Sequence, residues 1–129
     1  MTIRTCIPKD KFDLKAVKRA EAMGYPAINP ILPELLEWLQ DMNWPVAQAL
    51  TPLLAKAGPE ISPAIQNVFA QKDGWWSYCV LSVLAPIVRP EVWAMLEADI
   101  IRMAQHPTLE EQAEELDQAA LGAIASHRS

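Results

Sequence analysis

The sequence predicts an all-α protein, a HEAT/armadillo-like α-α superhelix of about three helical hairpins preceded by an N-terminal helix. Three observations carry this prediction. Apolar residues recur at helical spacing, and no segment alternates apolar and polar residues as a half-buried strand does. Eleven prolines and four glycines fall mostly where a helix starts or has just ended. Two segments also match each other. Pro33, Leu35, Trp38 and Leu39 have counterparts thirty residues on in Pro63, Ile65, Val68 and Phe69. Trp44, Leu50 and Leu53 have theirs thirty-one residues on in Trp75, Leu81 and Leu84. A helix hairpin repeated at this period is the mark of a right-handed α-solenoid, because one hairpin cannot bury its apolar face alone.

The elements follow in order within a single domain, 1–129. Residues 1–12 form an N-terminal segment. Asp13 caps a helix running to about Met23, ended by Gly24 and Pro26, with Leu14 and Val17 inward and Lys11, Lys15, Lys18 and Arg19 mostly outward. Hairpin 1 spans 30–57. Asn29 caps its first helix, with Pro30 at the first position. Asn43 caps its second, which Gly58-Pro59 stops. Hairpin 2 spans 60–88, its first helix starting at Glu60 or Pro63 and its second capped by Asp73. The chain changes helix at Asp41-Met42-Asn43 and again at Lys72-Asp73-Gly74. Hairpin 3 spans 90–126. Its first helix runs from Pro90 to Gln105, and Thr108 caps the second with Glu111 as a capping box. On that last helix Leu109, Ala113, Leu116, Ala120 and Ile124 share one face. Glu110, Glu111, Glu114, Glu115 and Asp117 crowd the other, as suits a terminal cap.

A chain of 129 residues buries roughly two thirds of its unfolded surface, and with 51% hydrophobic and 21% charged residues it is globular rather than disordered. The net charge of −5 is unevenly placed. Residues 1–19 hold six bases and two acids, leaving +4, whereas the rest hold five bases and fourteen acids, leaving −9. An acidic body argues against nucleic acid or an anionic membrane as partner, since that binding rests on Lys and Arg neutralising phosphates. The basic N-terminus is expected against the acidic body or in solvent. A nucleic-acid arm is the alternative. Opposite charge at the two ends also permits head-to-tail association, so the chain is expected as a monomer or a weak homo-oligomer. Cys6, in a loose N-terminal segment, and Cys79, in an apolar run, read as free thiols of a reducing compartment. No signal-peptide core precedes them, and the stretch from Cys79 to Val88 is too short for a membrane span. A cytoplasmic location follows as the expectation.

Four blocks carry a resemblance: PKDKFDLKAV at 8–17, INPILPELLEWLQDMNWPVA at 28–47, DGWWSYCVL at 73–81 and HPTLEEQAEELDQAA at 106–120. With these the chain resembles the small bacterial family known as domain of unknown function 5071. The stretch LLEWLQDMNWPVAQAL also resembles HEAT repeats in its layout. After Asp73 the family leads one to expect a Trp-Lys-Tyr-like run, where this chain has Trp75-Trp76-Ser77-Tyr78. The resemblance implies an all-helical, HEAT-like fold and implies no activity.

The candidate binding residues are Glu37, Trp38, Asp41, Asn43, Trp44, Trp75 and Trp76. On a helix from Pro30, Leu32, Leu35, Leu36 and Leu39 form the buried arc and Glu34, Glu37 and Asp41 fall together on the far side. One reading makes Trp38 and Trp44 covers for the apolar seam of the hairpin, Asn43 a cap and Asp41 a turn former. The other makes Glu37, Trp38, Asp41 and Trp44 an aromatic-acidic patch that anchors a partner. Neighbouring residues point about 100° apart on a helix, so only one of Trp75 and Trp76 can face the core. The other would extend an aromatic ridge. His106 and His127 have no partners at metal-ligand spacing, and the sequence has neither a phosphate loop nor a nucleophile elbow. Neither a metal nor a cofactor is expected. The acidic trio Glu34, Glu37 and Asp41 reads as a solvated face, and the five methionines as core filler. The reading is therefore a non-enzymatic protein-binding module, one concrete form being an acidic antagonist or immunity protein. An enzyme or small-ligand binder using the patch around Trp38 and Trp44 is the alternative.

Overall fold

The computed structural model describes residues 2–71 and 73–128; Lys72, at the head of the second expected turn, Met1 and Ser129 lie outside the described residues. Among the described residues the chain is all-helical, with no strand. The helices are α1 (Leu14–Met23), α2 (Leu32–Glu37), α3 (Pro45–Ala55), α4 (Ser62–Ala70), α5 (Gly74–Cys79), α6 (Pro90–Gln105), α7 (Leu109–Ala113) and α8 (Leu116–His127).

Helix α1 starts where Asp13 accepts the Ala16 N–H at 3.3 Å, and stops at Gly24, whose φ of +61° suits a residue without a Cβ. The Lys9 N–H binds the second Asp13 oxygen, and this bond holds the carboxyl below its usual range. Val17 faces inward as expected, joined by Ala16 and Ala20, but Leu14 is exposed. Cys6 is not in a loose segment. It sits fully buried in a 3-10 turn, Ile3–Cys6, with its Sγ 3.2 Å from Met23 Sδ.

Two expected caps are corrected. Asn29 begins a 3-10 turn (Asn29–Ile31) that leads into α2, and its buried Oδ1 has no hydrogen-bond partner. Asn43 is exposed and caps nothing. Pro45 occupies the first position of α3, where its missing N–H is harmless, so the cap position falls on Trp44. The turn is instead made by Asp41, whose Oδ1 accepts the Asn43 N–H at 2.9 Å. Asp73 caps α5 as expected, accepting the Trp76 N–H at 3.1 Å. The helix of α5 continues as a π turn, Val80–Leu84, and a 3-10 turn, Ala85–Ile87. Pro86 accounts for this distortion, since it has no N–H to give the Ser82 carbonyl. The widened turn keeps Val80, Leu81, Leu84 and Ala85 buried.

The last helix is two helices. Thr108 and Glu111 form the expected capping box, but the chain turns at Glu115 in the left-handed region, φ 59°. The turn rotates α8 relative to α7. Leu116 and Ala120 are buried as expected, and Ile124 partly so, whereas Ala113 is exposed and Leu109 is 83% exposed. His127 is docked through its ring, which stacks on Trp93 at 4.1 Å.

The helices form two rows. Helices α2, α4 and α6 touch in sequence, and α3, the π turn after α5 and α8 touch in sequence behind them. Helix α1 packs on α3, and α8 packs along α6. Between the rows lies one core, including the matched positions Leu35 and Ile65, Leu50 and Leu81, Leu53 and Leu84. Each such side chain contributes about 1.5–3 kcal/mol on burial. Tyr25 fastens the first connection to α3 by donating its hydroxyl to the Leu53 carbonyl at 2.6 Å, and burial pushes that hydroxyl up to about 12. No helix among the described residues is long and apolar enough to cross a membrane.

Candidate functional site

The starts of α3 and α5 and the α6–α8 connection lie along one edge of the two rows. Asp41 and Asp73, from the two hairpin turns, both act on Cys79. Burial pushes this thiol up; the two carboxylates add to that, and a backbone hydrogen bond at Met42 opposes it. Cys79 is buried and unpaired, as is Cys6.

Two open clefts lie beside this edge. The first, about 310 Å³, runs between α2, α4 and the start of α5. Pro33, Glu37 and Gln40 line one side, Asn67 and Gln71 the other, with Asp73 at the end and Trp76 as a wall. The second, about 410 Å³, lies between the end of α4, the start of α5 and α7. Phe69, Ala113 and Leu116 give it apolar lining, and Glu110 and Glu114 supply carboxylates. Gln71 borders both clefts, so they lie side by side along one acidic groove-like face. Within it, Glu37, Asp73, Glu110 and Glu114 form no ion pair among the described residues.

Glu111, also at the second cleft, is engaged elsewhere. Arg102 donates two hydrogen bonds to it, at 2.9 and 2.7 Å, and the Thr108 N–H donates a third at 2.8 Å. The Arg102 bonds hold its carboxyl below the usual range. The cleft hydroxyls have structural bonds too. Ser77 donates to the Val68 carbonyl at 3.3 Å, and Thr108 accepts the Glu111 N–H at 3.1 Å.

The seven candidate residues divide among three places. Glu37 and Trp76 border the first cleft. Trp76 is 7% exposed, and its indole N–H donates to the Leu36 carbonyl at 3.2 Å, in the last turn of α2. Trp38 and Trp44 meet edge to face with centroids 5.6 Å apart, both half-buried against the core. Asp41 and Asn43 form the turn between them. Trp75 is outside, 52% exposed, and stacks flat on Tyr78 at 5.7 Å. The acidic stripe is divided as well: Glu37 is exposed at the cleft, while Glu34 has an oxygen buried without a hydrogen-bond partner. No group of three His, Cys, Asp or Glu side chains among the described residues is placed to hold a metal.

A family model described as Domain of unknown function (DUF5071) matches residues 6–124. The chain belongs to the DUF5071 family. The match takes in every residue of both clefts, so the groove is part of the family domain rather than an appendage. No curated protein matches the chain. For this DUF5071 protein, two of the residues the sequence singled out, Glu37 and Trp76, lie at the clefts, whereas sequence reasoning did not bring Phe69, Gln71, Glu110 and Glu114 together as neighbours. Their convergence needs the break at Glu115, which brings the Glu114 side chain against Gly74. The run of glutamates was visible, but it reads equally well as the polar face of one continuous helix.

Proposed function

We propose that this DUF5071 protein is a non-enzymatic, HEAT-like protein-binding module, and that its partner lays a basic segment across the two adjoining clefts, as one groove. The observation that carries this reading is the set of four carboxylates, Glu37, Asp73, Glu110 and Glu114, that line the groove without an ion pair among the described residues. Exposed carboxylates along one face attract a cationic partner and raise its association rate. Phe69, part-buried at the second cleft, gives an anchor an aromatic surface to rest on. The two rows of helices and the thirty-residue correspondence support a right-handed HEAT-like superhelix, a scaffold that presents extended surfaces. The bonds that Ser77 and Thr108 make within the fold favour binding over nucleophilic chemistry. One concrete form is a cytoplasmic acidic antagonist of a basic protein, such as a bacterial immunity protein. Two buried free thiols suit a reducing compartment.

The test is affinity capture of the tagged full chain from lysate of its own cells, at low and at high salt, beside a Glu37→Lys/Glu110→Lys variant. The expected result is a stoichiometric basic protein, released at high salt and lost with the variant. Capture that is indifferent to both salt and variant would overturn the groove as the docking surface.

A further inference from the structure

We infer that the second cleft also receives the exposed Phe12 loop of a second copy of this chain, giving head-to-tail association; this rests on the groove being a docking surface for basic segments. The loop from Lys9 to Asp13 is held on every side. The Phe12 N–H binds Asp10 Oδ1 at 2.9 Å, the Lys9 N–H binds Asp13 Oδ2 at 3.0 Å, and the Val46 N–H at the start of α3 binds the Lys11 carbonyl at 3.1 Å. A loop so fixed nonetheless holds its phenyl ring 67% exposed, with the Lys11 Nζ 5.3 Å from the ring centroid. A single exposed apolar side chain is ordinary on a protein surface; Phe12 is singled out because it is fixed on an anchored loop within the +4 segment, opposite in charge to the second cleft. Lys9, Lys11 and Lys15 are near it in sequence and exposed, and Asp10 and Asp13 of the same loop are occupied in holding it through the Phe12 and Lys9 N–H groups.

The second cleft is its complement. It is about 410 Å³, open, with Phe69 and Leu116 as apolar lining and Glu110 and Glu114 as carboxylates. Leu109, beside it in sequence, is 83% exposed. Knob and cleft are separate places on the molecule. The bond from Val46 places the Phe12 loop beside the start of α3, and the cleft lies farther along the chain, between the end of α4, the start of α5 and α7. A second copy docked by its Phe12 loop brings its +4 segment to the first copy's acidic cleft. The contact joins two different patches, so it is heterologous and can repeat.

Sedimentation velocity of the full chain tests this, at rising concentration in low and high salt. The variants are Phe12→Ala, with the knob removed, and Glu110→Lys/Glu114→Lys, with the cleft reversed. Circular dichroism checks that each is folded. Wild type should associate at low salt and dissociate at high salt. Each variant alone should bind at least about tenfold more weakly, as for loss of an anchor or reversal of facing charges. An equimolar mixture of the two variants should form a discrete dimer, because one intact cleft then meets one intact knob. Wild type that stays monomeric, variants that associate like wild type, or a mixture no more associated than its components would overturn the inference. A monomeric wild type that still captures a basic protein through the groove would remove only the second copy as occupant. A wild type that does neither would remove the groove reading with it.

Discussion

Replacing Trp75 and Trp76 in turn separates two adjacent, chemically identical residues by their burial alone. Trp76 is 7% exposed, lies in the main core and donates its indole N–H to the Leu36 carbonyl. Trp76→Ala removes a core aromatic side chain, which costs about 3–5 kcal/mol. Part of that is the lost indole hydrogen bond to the Leu36 carbonyl, about 0.5–1.5 kcal/mol since that carbonyl keeps the Trp38 N–H, so Trp76→Phe should lose an intermediate amount. A domain of this size is stable by roughly 5–15 kcal/mol, and Trp76→Ala therefore removes a large share of it. Trp75 is half exposed and touches Tyr78 face to face. An aromatic pair contributes about 0.5–1.5 kcal/mol, so Trp75→Ala should cost no more than about 1 kcal/mol at this solvated position. Urea titration followed by circular dichroism at the helical band measures both without relying on tryptophan emission. Equal losses, or the larger loss at Trp75, would refute the assignment of Trp76 to the core.

Glu111→Ala removes both a capping-box partner and the paired hydrogen bonds from Arg102. It should cost about 1–2 kcal/mol, read as a fall of several degrees in Tm. Because the folded-state pKa of Glu111 is lowered, chiefly by Arg102, its contribution is present above the ordinary glutamate range and lost as pH falls through the folded value. The Tm difference between wild type and Glu111→Ala should accordingly shrink on acidification below about pH 4. Gly74→Ala places a methyl group against the Glu114 side chain, within 2.9 Å of its Cβ. Overpacking costs about 1–3 kcal/mol and outweighs the roughly 0.5–1 kcal/mol that alanine gains over glycine in a helix. A thermal melt more stable than wild type would show that the α7–α8 corner yields freely.

Most of the helical plan was legible because its signals are local. Asp13, Asp73 and Thr108 each cap a helix through a hydrogen bond to a residue three further on. Pro90 starts α6 because proline is tolerated in a first turn, where its missing N–H has no partner within the helix to lose. The apolar arc of Leu32, Leu35, Leu36 and Leu39 is buried as its spacing requires. Where two local rules competed, the sequence could not arbitrate. Asn43 has the chemistry of a cap, but Pro45 fixes the helix start one residue later. Glu115 lies within a strongly helical run, and the left-handed turn there separates buried Leu116 from exposed Leu109 and Ala113.

The sequence by itself therefore determined the helix starts marked by Asp13, Asp73, Pro90 and Thr108, most of the apolar faces and the uneven charge along the chain, because each is written in residues a few positions apart. Which tryptophan is inside, where the last helix breaks, and which glutamates face Phe69 and Gln71 were decided by tertiary structure. The physical reason is that these depend on contacts between residues tens of positions apart, as when the Trp76 indole satisfies the Leu36 carbonyl forty residues before it.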